Sequence, residues 1–134
     1  MSEAKTLMDF VKAAKSRITE ISIDEVTGLQ AEGYQVLDVR EPNEYVQGTL
    51  ENAMNIPRGL IEAACDPNYP GHRKEMIDRD KPWLILCATG GRSAMVTDVM
   101  QQMGFNNVKN INGGMRGKKQ TRQLLFRNHR HYSI

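Results

Sequence analysis

The chain has 134 residues, 40% of them hydrophobic and 25% charged, and its formal net charge is +2 at pH 7. That length suffices for one domain with a buried core, and the small net charge argues against general nucleic-acid binding. The two cysteines, Cys65 and Cys87, are too few for a disulfide scaffold and form no metal-binding pattern, so we expect no metal. No apolar stretch has membrane-spanning length, and we expect a cytoplasmic protein without membrane contact.

The first predicted element is an amphipathic helix over residues 4–18. Five apolar side chains share one of its faces: Leu7, Phe10, Val11, Ala14 and Ile18. The sequence that follows directly has the pattern of a folded domain, so we expect residues 1–18 to pack on that domain as a helix. A short strand is predicted at 21–23, followed by a short helix that begins at an Asp24 cap and ends near Gly33.

Strands alternate with short helices through the rest of the chain. Residues 35–39 are apolar on both faces apart from Asp38, as in a buried parallel strand. Pro42 suits the first turn of the next helix, where its missing N–H costs nothing. The other predicted elements are a strand at 53–56, helices at 60–64 and through 76–77, a strand at 83–87, a helix ended by Gly104 and a strand at 108–111. This alternation predicts an α/β fold with a parallel central sheet.

Cys87 closes the apolar strand 83–87 and precedes Ala88-Thr89-Gly90-Gly91-Arg92-Ser93. The glycines allow the backbone to curl so that successive N–H groups point inward, as in anion-binding nests. These N–H groups, the positive end of the following helix and Arg92 all favour a thiolate. We therefore predict that Cys87 is a nucleophile, in preference to an inert buried cysteine at a strand end.

Three blocks between about Ile21 and Gly117 resemble the single-domain rhodaneses, which are sulfurtransferases. Residues 37–45, Leu-Asp-Val-Arg-Glu-Pro-Asn-Glu-Tyr, resemble the family's L-D-V-R-x-x-x-E-[FY] block. Residues 48–57 resemble its G-H-I-x-G-A-x-N-I-P block, and residues 87–94 resemble its active-site loop, C-x-x-G-x-R-S. The resemblance implies a three-layer rhodanese-like fold with a mostly parallel five-stranded central sheet flanked by helices. We assign this domain to residues 19–120 and a basic extension to 121–134.

The resemblance further implies thiosulfate sulfurtransferase-like activity. A small anionic donor such as thiosulfate would give a sulfane sulfur to Cys87, and the resulting persulfide would pass it to cyanide, a thiol or a protein. No cofactor is expected. By position, substrate would be bound by Ala88, Thr89, Gly90, Gly91 and Arg92. Asp38 and Arg40 match the family's buried pair near the strand ends, and together with Ser93 they are expected to support the loop and the sheet.

Two positions depart from the family pattern, and two other functions stay open. Thr49 stands where the family usually has histidine, and Lys118 stands near its common tryptophan. Phosphatases and arsenate reductases of the same fold resemble C-x5-R, one residue longer than the loop between Cys87 and Arg92, so sulfur transfer is favoured. A non-catalytic regulatory or sulfur-relay module is the other alternative, but such domains usually lose the cysteine.

Signals outside the loop are weaker. Cys65 lies in a turn-rich segment and could resolve the persulfide as a disulfide, although an incidental cysteine is the preferred interpretation. Residues 115–134 contain basic but no acidic residues, so they could bind an acidic protein or a tRNA. A solvated helix with a frayed tail is preferred. We interpret His129 and His131 as tail residues, not as a metal-binding pair.

Overall fold

A five-stranded parallel sheet forms the centre of the structure, a computed structural model that describes residues 3–118 and 124–125. The strands are β1 (Glu20–Ile21), β2 (Gln35–Asp38), β3 (Thr49–Leu50), β4 (Met54–Asn55), β5 (Trp83–Leu86), β6 (Val108–Ile111) and β7 (Leu124–Leu125). The α-helices are α1 (Leu7–Lys15), α2 (Val26–Ala31), α3 (Pro42–Tyr45), α4 (Ile61–Cys65) and α5 (Gly91–Gln102). Single turns of 3-10 helix occur at Ile23–Glu25, Arg58–Leu60, Lys74–Met76 and Gly114–Lys118.

The strand order in the sheet is β1-β6-β5-β2-β4, and every pairing is parallel. β5 is therefore central, with Ile85 paired to Leu37 on one side and to Asn110 on the other. All four residues of β5 are fully buried, as expected for a parallel strand covered on both faces. The predicted α/β fold with a five-stranded parallel sheet is confirmed.

Two hydrophobic cores cover the two faces of this sheet. Alternate residues of β5 point to opposite faces, so Trp83 and Ile85 join one core while Leu84 and Leu86 join the other. The first core includes α4 and α5, and the second includes Val26 from α2. The result is the three-layer arrangement that the sequence predicted. Burial of each large apolar side chain contributes roughly 1.5–3 kcal/mol.

The N-terminal region differs from the prediction in three respects. α1 spans Leu7–Lys15 only, and its apolar face is incompletely covered: Val11 and Ala14 are buried against α5, but Leu7 and Phe10 are 68% and 55% exposed. The predicted strand at 21–23 is instead Glu20–Ile21. The cap of the following turn is Ser22 and not Asp24. The Ser22 N–H donates a hydrogen bond to the Glu25 carboxylate at 2.8 Å, as in a capping box.

Further along the chain, the predicted helix through 76–77 is only the turn Lys74–Met76. The short antiparallel pair formed by β3 and β7 was not predicted. None of the helices in the described part of the chain is long and apolar enough to cross a membrane. The interpretations placed on the basic tail, including His129 and His131, and on the side chain of Lys118 lie outside what the structure describes.

Candidate active site

Cys87 lies immediately after the central strand β5, at the carboxyl edge of the sheet. The adjacent strand β2 ends next to it, at Asp38, which pairs with Leu86. Ligands of open α/β sheets bind at this edge, because strand ends and helix N-termini converge there. Cys87 itself is only 1% exposed, so its sulfur is surrounded by the protein.

The sulfur of Cys87 accepts three hydrogen bonds. The N–H of Gly90 donates at 3.0 Å, the N–H of Ser93 at 3.3 Å and the Ser93 hydroxyl at 3.2 Å. Two of these donors belong to the start of the 12-residue helix α5, whose N-terminal end carries partial positive charge. Charge-assisted hydrogen bonds to an anion are stronger than neutral ones. This arrangement therefore suits a negatively charged sulfur.

Gly90 gives the loop its shape. It has φ = 97°, a left-handed conformation that glycine adopts without steric cost. A Cβ at this position would also lie 2.9 Å from the backbone nitrogen of Gly113. The Gly90 carbonyl accepts a hydrogen bond at 3.2 Å from the buried side chain of Asn110, which is fixed in turn by Glu20 at 2.7 Å. Both conformation and space thus require glycine here.

A turn at residues 113–117 supports the back of the loop. The N–H of Met115 donates to the Cys87 carbonyl at 2.8 Å, and the N–H of Arg116 donates to the Ala88 carbonyl at 2.9 Å. Gly114 lies so close to the loop that an added Cβ would overlap the carbonyl oxygen of Cys87. The backbone next to the thiol is therefore held by a segment almost 30 residues away in sequence.

Arg92 is bound by two hydrogen bonds to Glu44 of α3, at 2.8 and 3.0 Å. This pairing lowers the pKa of Glu44 to about 2 and raises the pKa of Arg92. Both side chains are about one-third exposed. The positive charge of Arg92 is consequently paired with a carboxylate next to the loop.

Asp38 and Arg40 form the buried pair that the sequence suggested. The guanidinium of Arg40 contacts both oxygens of Asp38, the closest distance being 2.8 Å, and also donates to the Gly48 carbonyl. The hydroxyl of Thr49 donates to Asp38 at 2.8 Å, so this departure from the family pattern still supplies a hydrogen bond. Asn55 fixes the backbone by donating to the Asp38 and Arg40 carbonyls. Buried charges are stable only when paired in this way.

Cys65 is not placed as a resolving thiol would be. It is the last residue of α4, is fully buried and belongs to the hydrophobic core. Burial raises the pKa of its thiol to about 11. The thiolate is the nucleophile in disulfide exchange, so a protonated core thiol favours the interpretation of Cys65 as incidental.

The predicted loop residues occupy distinct positions around the sulfur. Gly90 contacts it directly, whereas Ala88 is half-buried and Thr89 is exposed at the surface. Ser93 was expected to support the loop, and it does more, because two of its groups bind the sulfur. Gly91 begins α5 and lies under Val11 of α1, since a Cβ there would be 3.6 Å from the Val11 methyl group.

Two residues near the site were missed by the sequence interpretation. Glu44 lay within the quoted 37–45 block but was given no partner, although an arginine in a functional loop calls for a carboxylate. Gly114 was given no role in the site. Two consecutive glycines after a strand are a signal of close backbone approach.

Within the described residues, no three His, Cys, Asp or Glu side chains are grouped to hold a metal ion.

In this site, the central strand of a parallel sheet ends at a cysteine, and a glycine-containing loop connects that cysteine to a helix N-terminus. The family model described as "Rhodanese-like domain" matches residues 22–121. This chain therefore belongs to the rhodanese-like domain family. Its similarity to named proteins is consistent with that membership.

Several relatives carry sulfurtransferase names. Thiosulfate sulfurtransferase 16, chloroplastic, of Arabidopsis thaliana is 31% identical over 106 residues, which cover 76% of this chain and 88% of the relative. A mitochondrial candidate thiosulfate sulfurtransferase of Schizosaccharomyces pombe is 32% identical over 84 residues. The match to the latter covers 58% of each protein, so this chain spans little more than half its length.

One similar solved structure carries a different description. It is a protein of unknown function from Rhodopseudomonas palustris, described as a possible tyrosine phosphatase. The TM-score is 0.76 at 26% sequence identity, and the alignment covers 85% of this chain and 89% of that one.

Proposed function

We propose that the protein is a sulfurtransferase that carries a sulfane sulfur as a persulfide on Cys87. The observation that carries this proposal is the set of three hydrogen bonds to the Cys87 sulfur from Gly90 and Ser93. Those donors stabilise negative charge at the sulfur without a metal. The names of the relatives support the same chemistry.

The reaction has two displacement steps. The Cys87 thiolate attacks the outer sulfur of thiosulfate, the S–S bond of the donor breaks, and sulfite leaves with the electron pair. An acceptor thiolate or cyanide then attacks the outer sulfur of the persulfide, and Cys87 leaves as thiolate. Each step is easier than a direct transfer, which is the advantage of covalent catalysis. The partial positive charge at the N-terminus of α5 suits the negative outer sulfur.

The test is intact-mass measurement of the reduced protein after incubation with thiosulfate and again after cyanide. We expect one sulfur atom to be gained and then lost as thiocyanate. Cys87→Ser should gain none while staying folded, and Cys65→Ala is the matched control that should still gain one. Arg92→Ala should weaken donor capture and raise the KM for thiosulfate. Sulfur gain by Cys87→Ser would refute the mechanism, and no gain with either thiosulfate or polysulfide would refute sulfur transfer.

Phosphate-ester hydrolysis is the second candidate, because the Rhodopseudomonas palustris structure is described as a possible tyrosine phosphatase. The length of the active-site loop disfavours it. Only four residues separate Cys87 from Arg92, which makes a narrow cradle. Hydrolysis of p-nitrophenyl phosphate that disappears in Cys87→Ser would favour the phosphatase instead.

A further inference from the structure

A cavity of about 550 Å³ lies between α1 and the active-site loop. One side is formed by Thr89, Gly91 and Arg92, and the opposite side by α1. Volumes of 300–1,000 Å³ are typical of pockets for small molecules. A bound molecule would therefore contact the same loop that encloses the Cys87 sulfur.

The wall of the cavity is mostly apolar. Leu7, Met8 and Val11 line it from α1, and Met95 lines it from α5. Leu7 and Met8 are 68% and 56% exposed, although Val11 and Ala14 of the same helix are buried. A contiguous apolar patch is one mark of a ligand-binding groove. The wall is suited to an aliphatic or aromatic body.

Three cations border the cavity, and two of them are already paired. Arg92 is bound to Glu44, while Lys15 lies 3.4 Å from Glu20 and donates to Asn112. Lys12 is exposed and makes no ion pair or hydrogen bond through its side chain to any residue within 3–118. Lys12 is therefore the cation of this cavity that is available to an anionic group of a ligand.

We infer that this cavity binds the sulfur acceptor, and that the acceptor is a small organic thiol with an apolar body and a terminal carboxylate or similar anion. The inference rests on the proposed function. The thiol would lie at the loop, the body against Met8 and Val11, and the anion at Lys12. Met8 and Lys12 are one helical turn apart, about 6 Å, so a chain of several methylenes spans the wall.

The transfer balances without another reactant. The acceptor thiolate attacks the outer sulfur of the Cys87 persulfide, and the S–S bond between that sulfur and Cys87 breaks. Cys87 leaves as thiolate with the electron pair, and the acceptor departs as an organic persulfide. The carboxylate takes no part in the bonds that form or break. It sets affinity only.

The experiment compares mercaptopropionate, mercaptooctanoate and mercaptooctanol as acceptors for persulfide-loaded protein, with persulfide loss followed by intact mass. We expect kcat/KM for mercaptooctanoate to exceed that for mercaptopropionate by tenfold or more, since burial of each methylene favours binding by about fourfold. Met8→Ser should reduce this ratio severalfold. Lys12→Gln should slow mercaptooctanoate but not mercaptooctanol. Phe10→Ser is the matched control, because Phe10 is an equally exposed side chain of α1 outside the cavity.

Binding of octanoate and butyrate to the Cys87→Ser variant, measured by titration calorimetry, separates the two proposals. If no persulfide forms in the wild type, the proposed function fails, while octanoate binding that weakens in Lys12→Gln would still support the cavity. Equal rates for short and long acceptors together with no octanoate binding would overturn the inference. A chain-length preference that is unchanged in both Met8→Ser and Lys12→Gln would overturn it as well.

Discussion

Replacement of Gly114 by alanine should displace the turn at residues 113–117 from the active-site loop and so slow persulfide formation. A Cβ at Gly114 would overlap the Cys87 carbonyl oxygen and lie 2.7 Å from the carbonyl carbon of Ala88. These are backbone atoms, so no side-chain rotation relieves the overlap. The turn must move away from the loop, which breaks the hydrogen bonds from Met115 and Arg116.

The size of the effect follows from this geometry. Relief of the overlap requires a separation of roughly 1 Å, and misplacement on that scale can cost about 100-fold in rate. Gly114 has φ = 56°, and an alanine in the left-handed region costs roughly 1–2 kcal/mol. Two lost hydrogen bonds add about 0.5–1.5 kcal/mol each. We expect Gly114→Ala to be destabilised by about 2–5 kcal/mol and to form persulfide about 100 times more slowly.

Gly113→Ala is the control. Gly113 also has a positive φ, 81°, but the nearest atom to its Cβ would be 3.7 Å away, at Gly117. This variant should carry the conformational cost alone, about 1–2 kcal/mol, with a nearly unchanged rate. The assay is the single-turnover rate of sulfur gain from thiosulfate, measured by intact mass where urea titration shows both variants folded. A wild-type rate in Gly114→Ala, or equal slowing in both variants, would refute the reasoning.

Three further predictions concern the surrounding residues. In Glu44→Gln the ion pair with Arg92 is lost. The pKa of Glu44 is about 2 in the folded state, below its ordinary value of 4.5. The ion pair therefore stabilises the fold above pH 4.5, and this stabilisation vanishes as the pH falls towards 2. After allowance for solvent screening, urea titrations should show a deficit of ~1 kcal/mol at neutral pH that shrinks in acid, and a constant deficit would contradict this. Thr49→Val should lose about 1–3 kcal/mol by removing a hydrogen bond to Asp38, whereas Thr49→Ser should lose less; equal stability of Thr49→Val and wild type would argue against the bond. The thiol of Cys65 should react with iodoacetamide only on unfolding, as measured by peptide mass, and rapid native labelling would show that it is not buried.

The strand, loop and helix around Cys87 were predictable because the signals are local. An apolar run ends at the cysteine, and glycines follow at once. The contacts of the loop with Glu44 and Gly114 were not predictable in the same way, since they join segments 48 and 27 positions away. Close packing of distant backbone segments leaves no periodic pattern in the sequence.

Periodicity also could not specify what covers an apolar face. The spacing in residues 4–18 predicted the face of α1 correctly at Val11 and Ala14, but Leu7 and Phe10 remain exposed. β3 and β4 contain two residues each, which is too short for an alternating pattern to be distinguished from a turn. The buried pair of Asp38 and Arg40 was expected from resemblance to a family. Its partner Thr49 was recognised only as a departure.

The turn at 113–117 also affects the order in which the site forms during synthesis. The chain is synthesised from the N-terminus at about 5–20 residues per second. β5 and the loop can be synthesised well before Met115, but the Cys87 and Ala88 carbonyls gain their partners only when Met115 and Arg116 are present. A nascent chain that stops at residue 112 would thus contain Cys87 without an assembled site. The site is completed only after all five strands of the central sheet have been made.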